Sequence, residues 1–317
     1  MTEVSKLLRK FLVTTLLLAT VLAACNGQTP NNGGNGGGGG SDSVDIEEAY
    51  TAINASQAPL YRAFVAAGQA SIATNGQFPA PPIFLPALVP LGSGANAPAA
   101  QGFGWSCSGM QSSGDLSDPD HDGIPADAHY TGHCTVSDPQ SGTINWTLDF
   151  YIADAANDDP LAGFRSHGSV VWEAVGQGKL TWTITHHDVV KQANSAAYDL
   201  TYEGGWRYED YQDSSNDGSI SYDLGGTWTP DDPNASSFID LWTSGTLNLG
   251  GSVTFSDSSC TTTATLNFNL HFDASGCADH GSVSYNGQDC DGHACNVSAS
   301  WQSCNGPYTA KGGCSQQ

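Results

Sequence analysis

The chain is poor in positive charge. Its 317 residues include 9 lysines and arginines against 32 aspartates and glutamates, which gives a formal net charge of −23. A protein that binds nucleic acid through its phosphates needs a basic patch, and so few cations cannot build one. The composition therefore excludes nucleic acid as a partner and makes metal cations the natural counter-charge.

The sequence also lacks the short motifs that carry common enzyme chemistries. It contains no Gly-x-Ser-x-Gly nucleophile elbow, no His-Glu-x-x-His zinc motif and no phosphate-binding loop. Acidic pairs occur at Asp158-Asp159 and Asp231-Asp232, beside the asparagine and proline residues typical of loops. No catalytic residue is therefore assigned, although paired carboxylates keep a secreted hydrolase open as an alternative.

Long hydrophobic runs are absent, and the one short run lies near the start of the chain. Residues 11–24 are apolar and follow a basic segment that contains Lys6, Arg9 and Lys10. A basic segment, an apolar stretch and small residues at its end are the pattern of a secretory signal. The run is too short to span a bilayer comfortably, so it predicts export and not a membrane-spanning helix.

The apolar run ends in Leu22-Ala23-Ala24-Cys25. This ending resembles the lipobox of bacterial lipoproteins. The resemblance implies that residues 1–24 are a lipoprotein signal peptide and that Cys25 is the lipid-modified first residue of the mature chain. It also implies that the protein is extracytoplasmic and is anchored by its lipid to the cell membrane or the outer membrane.

Residues 25–43 contain the cysteine and a Gly/Asn-rich stretch that cannot bury a core. We expect a flexible linker, whose roughly 18 residues reach about 20–25 Å as a random coil. Removal of the signal takes away three basic residues and Glu3. The mature chain then keeps 6 basic residues against 31 acidic ones, a formal charge of −25.

Residues 44–102 form a helical and Pro-rich preface. Apolar residues recur at helical spacing between Ile46 and Val65, and Ser43 precedes them as a candidate N-cap. The residues that follow, 78–100, are too rich in proline for a helix or an inner strand.

From residue 103 to residue 317 the hydrophobic period changes to two. Strict alternation is typical of antiparallel strands with one buried face, and turn signals separate about eleven to thirteen such runs. The alternation is clearest over residues 143–150, 180–185 and 265–272. The predicted fold is mainly β: a large antiparallel meander, closed into a barrel or strongly curled into a half-barrel, with a short N-terminal helical segment.

A two-sheet sandwich is the alternative architecture. In either case the apolar face must be hidden, because a sheet of that size cannot leave it in water. The large aromatic residues of that face then fill a packed core or line a cavity for an apolar ligand; they include Trp146, Trp182, Trp206, Trp228 and Phe268.

Eight of the nine cysteines remain once Cys25 is set aside. Export places them in an oxidising compartment, so up to four disulfides are expected in the β domain. The preferred pairs are Cys107–Cys134 and Cys290–Cys295; a zinc site at Cys290, His293 and Cys295 is the rival interpretation of the second pair. The candidates are Cys107, Cys134, Cys260, Cys277, Cys290, Cys295, Cys304 and Cys314.

The sharpest local motif is the segment from Asp118 to Pro125, Asp-Pro-Asp-His-Asp-Gly-Ile-Pro. Alternate carboxylates, followed by a glycine that allows a sharp turn, can surround a hard cation with oxygen atoms at about 2.3–2.6 Å. The segment resembles an EF-hand-like calcium loop and the calcium repeats of thrombospondin type 3 modules. The resemblance implies a structural calcium ion held by Asp118, Asp120, Asp122 and the carbonyl group of Ile124.

The motif departs from that family after its first half. The family places a further acid at the ninth or twelfth position, where this chain has Ala126 and His129. Asp127, at the tenth position, is expected to take its place, directly or through a water molecule.

These features predict a membrane-anchored, extracytoplasmic lipoprotein that acts as a structural or binding module of the cell envelope. Its expected partners are the membrane, reached through the lipid anchor, and an envelope protein. The first alternative is a carrier that holds a lipid or another apolar small molecule in the curled sheet. The second alternative is the secreted hydrolase.

Overall fold

The fold was analysed in a computed structural model. The structure describes residues 56, 58–60, 62–67, 69–70, 104–138, 142–304 and 306–315. The predicted signal peptide, Cys25, the linker and the Pro-rich residues 78–100 lie outside the described residues. In the part of the chain that is described, no helix has both the length and the apolar content needed to cross a membrane.

Twelve antiparallel strands make up a single sheet, and each strand pairs with the next one along the chain. Two short 3-10 helices, Ser214–Asn216 and Ile239–Trp242, lie in the connections after β6 and β7. The strands are β1 Gly104–Asp115, β2 Asp127–Asp138, β3 Gly142–Asp154, β4 Gly163–Ala174, β5 Gly178–Lys191, β6 Tyr198–Asp210, β7 Gly218–Pro230, β8 Gly245–Asp257, β9 Thr261–Phe272, β10 Ala278–Gln288, β11 Ala294–Trp301 and β12 Thr309–Cys314.

The sheet is open, with β1 and β12 as its two edges. Short hairpin connections explain the sequential order, because consecutive antiparallel strands need only a tight turn between them. The right-handed twist of neighbouring strands accumulates over twelve of them and curls the sheet. The prediction of a mainly β, strongly curled meander is therefore confirmed; the described strands form neither a closed barrel nor a two-sheet sandwich.

The alternating pattern places the buried apolar side chains on one face of the sheet. On β9, Leu266, Phe268 and Leu270 are buried while Asn267 and Asn269 are exposed. The predicted aromatic residues belong to this core, and the largest fully buried side chains include Trp146, Trp182, Trp228, Trp242 and Trp301. The strands from β2 to β11 thus contribute buried side chains to a single core, whereas β12 contributes none.

A helical segment, α1, comprises the described helical residues between positions 56 and 70 and lies within the predicted preface. Its Phe64 ring packs edge-on against Phe268 of β9, with 5.1 Å between ring centroids. At its start, the Tyr202 hydroxyl of β6 donates to the Ser56 carbonyl at 3.1 Å. Residues from distant strands therefore close around one segment, which covers the apolar face.

One side of α1 is buried, and the other is exposed. Its buried apolar residues are Leu60, Ala63, Phe64, Ala66, Ala67 and Ala70. Val65, which the helical spacing grouped with the core, is instead 42% exposed. The buried stripe is the one that faces the sheet, since the contacts of Phe64 are made there.

Three disulfides join the last five strands and their turns: Cys260–Cys290, Cys277–Cys304 and Cys295–Cys314. The predicted Cys290–Cys295 bond is wrong. Cys295 lies directly opposite Cys314 in the β11–β12 register, whereas Cys290 lies in a turn that adjoins the β8–β9 turn holding Cys260. The rival zinc site is also wrong, because both of its cysteines are bonded elsewhere.

The Cys107–Cys134 pair remains a prediction. The two residues are directly opposite each other in the β1–β2 register. Their side chains lie outside the described residues.

The disulfides lead to a stability prediction. Replacing Cys277 and Cys304 together by serine should lower the free energy of unfolding by about 3–4 kcal/mol, because a loop of 27 residues would no longer be closed in the unfolded chain. Urea denaturation without reductant measures the change. Unchanged stability, or a Cys290–Cys295 peptide in a non-reducing digest, would contradict the connectivity.

Candidate metal centre

The Asp-rich loop connects β1 to β2 at one end of the sheet. The Ala126 N–H donates to the Ser117 carbonyl at 2.8 Å, which closes the base of the loop. The Asp154 N–H, at the end of β3, donates to the Pro125 carbonyl at 2.9 Å. The fully buried Ile124 side chain fixes the loop to the core. The loop is therefore held against the end of a strand that follows it in the chain.

The loop folds around the Asp118 carboxylate, which is 8% exposed. Its two oxygens accept the N–H groups of Asp122 at 3.2 Å and Gly123 at 3.0 Å. The Gly123 φ of 88° lies in the left-handed region that glycine adopts without a steric penalty. Asp122 then accepts the Ile124 N–H at 2.6 Å. These bonds produce the sharp turn that the motif predicted.

Three carboxylates converge inside this turn, and a fourth, that of Asp154, lies near them. Asp118, Asp120 and Asp122 each offer an oxygen atom, and the three oxygens lie within 4.8 Å of one another. Asp154 is close enough to repel all three of them electrostatically. It is placed there by the backbone hydrogen bond to Pro125. The centre is thus built from one loop and the end of β3.

Several oxygens of the cluster are buried without a hydrogen-bond partner of normal geometry. They are both carboxylate oxygens of Asp120 and one oxygen each of Asp122 and Asp154. A buried carboxylate oxygen that has lost water and gained no partner is costly. A bound cation would offset the cost of burying these oxygens.

The electrostatics of the cluster are those of crowded negative charge. Burial, followed by repulsion from Asp154, raises the pKa of Asp120 to about 6. Burial raises the pKa of Asp122 to about 8, although the hydrogen bond from the Ile124 N–H opposes the rise. Burial also raises the pKa of Asp154, with repulsion from Asp118 adding to it. No lysine or arginine is among the groups that act on these carboxylates.

The donor set is made only of oxygen atoms, which favours a hard cation. Calcium accepts six to eight oxygen ligands in irregular geometry, whereas magnesium demands a near-ideal octahedron. A loop of alternating aspartates supplemented by a distant carboxylate supplies oxygens of that irregular kind. The arrangement can hold an ion and thereby tie β1, β2 and β3 together at this end of the sheet.

The structure brings together three of the five predicted ligand residues. Asp127 is exposed at the first position of β2, opposite Asp115, and lies outside the cluster of Asp118, Asp120 and Asp122. Its role, directly or through water, stays a prediction, as does that of the Ile124 carbonyl. Asp154 was missed, because no local motif links it to a loop about thirty residues earlier in the sequence.

Comparison with protein-family models, with curated proteins and with solved structures finds no match for this chain. The chemistry of the centre is therefore argued from its own geometry.

The geometry of the centre predicts that one substitution changes the Tm in opposite directions in Ca²⁺ and in chelator. At a Ca²⁺ concentration of about one hundred times Kd, the free energy of unfolding of the wild-type protein should be about 2.7 kcal/mol higher than in chelator. Its Tm should be about 5–10 °C higher. Asp154→Asn should lose most of that gain, because a negative charge near the ion is gone. In chelator the same variant should melt at or above the wild-type Tm, because one repulsive charge is gone. Thermal melts in Ca²⁺ and in EGTA measure both effects.

Asp158→Asn is the matched control, since Asp158 is exposed in the loop that follows β3. It should keep the wild-type gain in Ca²⁺. Asp127→Asn decides whether the remaining predicted acid is a ligand, because only a ligand would lower the gain. A wild-type Tm that is the same in Ca²⁺ and in EGTA would contradict the calcium assignment. Equal Tm changes of Asp154→Asn in both media would exclude Asp154 from the centre.

The raised pKa values of Asp120 and Asp122 predict an unusual pH dependence. Between about pH 4 and pH 8 the metal-free folded state binds more protons here than the unfolded state, whose aspartates titrate near their ordinary value. In EGTA, the contribution of these two groups to the free energy of unfolding should therefore be present at acidic pH and be lost as the pH rises towards 8. Saturating Ca²⁺ should abolish this loss, because the ion favours the ionised carboxylates.

Urea titrations at several pH values in the two media measure the effect. Burial lowers the pKa of His187 to about 3, so this residue has the opposite effect: its contribution to stability is lost as the pH falls. The comparison is therefore between the wild-type protein and Asp122→Asn, which should flatten the part of the EGTA profile due to the cluster. Identical wild-type and variant profiles in EGTA would refute the interpretation.

Proposed function

We propose that the protein is a lipid-anchored, extracytoplasmic module of the bacterial cell envelope with a structural or binding role. In this proposal Cys25 carries the lipid, the linker separates the β domain from the membrane, and a calcium ion in the Asp118–Asp154 centre stabilises the domain. Three disulfides support the compartment, because such bonds persist in oxidising surroundings.

The observation that carries the choice of role is the packing of α1 on the apolar face of the sheet. Phe64 lies against Phe268, and the buried residues of α1 belong to the same core as the tryptophans of the sheet. An apolar carrier needs that side for its ligand. Here the protein's own side chains occupy it, so a structural or binding role is favoured over the carrier.

The outer face of the sheet is the surface offered to a partner. Across β7 to β10 many of its groups are hydroxyls and amides, some of which pair across strands, as Thr254 and Thr263 do at 2.8 Å. A shallow, open depression of about 420 Å³ crosses β7 to β10 on this face. Its polar lining includes Thr227, Asn248, Asn267, Asn269, Ser282 and Ser284. Such a neutral, hydrogen-bonding surface suits a polar envelope protein.

The anchor is tested by expressing the full chain in a bacterium, separating membranes and measuring intact mass. The membrane fraction should contain a chain that begins at Cys25 and carries the added mass of acyl groups. Cys25→Ala should lose the acyl mass and leave the membrane fraction, whereas the neighbouring Asn26→Ala should behave as the wild type. An unacylated wild-type chain would contradict the proposal.

Native mass spectrometry of the same membrane extract separates the proposed role from the carrier. The expected mass is that of the acylated chain with bound calcium. An additional apolar molecule that survives purification in stoichiometric amount would favour the carrier instead.

A further inference from the structure

A second cluster of metal-binding side chains lies on the outer face, remote in sequence from the Asp-rich loop. It contains His271 near the end of β9, Asp279 and His280 at the start of β10, and Asp231 directly after β7. The first three residues each offer a ligand atom, and these atoms lie within 4.8 Å of one another. Unlike the loop, this cluster combines imidazole nitrogens with a carboxylate.

A β-bulge creates the cluster. His280 is opposite His271 in the β9–β10 register, and Ala278 is opposite Phe272, so that Asp279 is the extra residue between them. In a regular strand Asp279 and His280 would point to opposite faces. A bulge re-aims one side chain, and here it brings both residues to the face of His271.

Asp279 joins the two histidines through one oxygen atom. This oxygen lies 2.7 Å from His271 Nδ1 and 2.8 Å from His280 Nδ1. The two imidazole rings stack with centroids 4.7 Å apart. Ligands at about 2.0–2.1 Å from a tetrahedral ion would be about 3.4 Å apart. Each of the two nitrogen–oxygen distances would lengthen by about 0.6–0.7 Å if an ion took the place of the two shared protons.

The other nitrogen of His271 also has a partner. His271 Nε2 lies 3.2 Å from one oxygen of Asp231 and 3.3 Å from the other. Histidines that bind metal through one ring nitrogen commonly donate the other N–H to a carboxylate, which fixes the tautomer and the ring orientation. Asp231 is such a carboxylate partner for His271, and it lies in the connection between β7 and β8.

The surroundings hold the cluster in place while leaving one side open. The indole N–H of Trp301 donates to the Ala278 carbonyl at 2.9 Å. The Cys277–Cys304 disulfide joins the adjoining turn to the segment after β11. The side chain of His271 is 22% exposed and that of His280 is 54% exposed. Solvent can thus supply the remaining ligand of a three-residue site.

We propose that His271, Asp279 and His280 form a binding site for a divalent transition metal ion of the Zn²⁺ class, with Asp231 as the outer partner of His271. Imidazole ligands select this class over calcium, which prefers oxygen ligands throughout. The proposal is independent of the lipid anchor and of the calcium centre. It adds a second, chemically distinct metal site to the protein.

Zn²⁺ titration of the detergent-solubilised lipoprotein tests the site by calorimetry, with excess Ca²⁺ present to saturate hard-cation positions. One Zn²⁺ per chain is expected. His280→Ala should weaken binding at least tenfold, and Asp231→Asn about tenfold or more. Co²⁺ serves as a spectroscopic probe, since its visible absorption should report nitrogen ligands and disappear in His280→Ala.

His186→Ala is the matched control, because His186 is an exposed histidine on β5, away from the cluster. It should keep the wild-type Zn²⁺ affinity. The half-exposed His280 can be removed without opening the core, and metal-free melts of both variants verify that the fold is retained. Equal Zn²⁺ affinities of the wild type and His280→Ala, or absence of a stoichiometric site, would overturn the proposal. An unaltered Asp231→Asn affinity would overturn the role of Asp231.

Discussion

The burial of one continuous apolar face is the constraint on which the rest of the structure depends. Twelve strands that pair in chain order put every second side chain on the same side of a single sheet. That side must leave water, and an open sheet offers no second sheet to cover it. The curl of the sheet and the helical segment α1 solve the problem together, with Phe64 seated against Phe268. The core is therefore completed by residues from outside the β domain.

This solution assigns separate roles to the two faces and to the ends of the sheet. The apolar face is occupied by packing, and the outer face carries polar and charged groups. The two proposed metal centres lie near strand ends, where a loop or a bulge frees side chains from strict alternation. At such positions a rigid scaffold can hold charged groups close together. In these proposals, bound cations offset part of the mutual repulsion in a chain with a large excess of carboxylates.

The residues that sequence reasoning identified and missed differ in how their neighbours are brought to them. Asp118, Asp120 and Asp122 lie within five residues, and a local turn suffices to gather them. Asp154 reaches the same centre only because β2 pairs with β3. His271 and His280 meet through the β9–β10 register, and Asp279 joins them through a bulge that leaves no signature in the hydrophobic pattern. The wrong Cys290–Cys295 pair has the same origin. The prediction relied on the short distance between the two cysteines in the sequence, whereas the pairing of the strands brings each of them to a different partner.

The sequence by itself determined the class of fold, the alternation of the strands, the place of the helical segment and the Asp-rich turn. These features depend on a residue and its near neighbours, through periods of two or 3.6 and through local turn chemistry. Only the tertiary structure decided that the sheet stays open, that α1 packs on its apolar face, which cysteines are joined and which distant carboxylate lies beside the loop. Those outcomes depend on the pairing and curvature of all twelve strands together, which cannot be inferred from any short stretch of sequence.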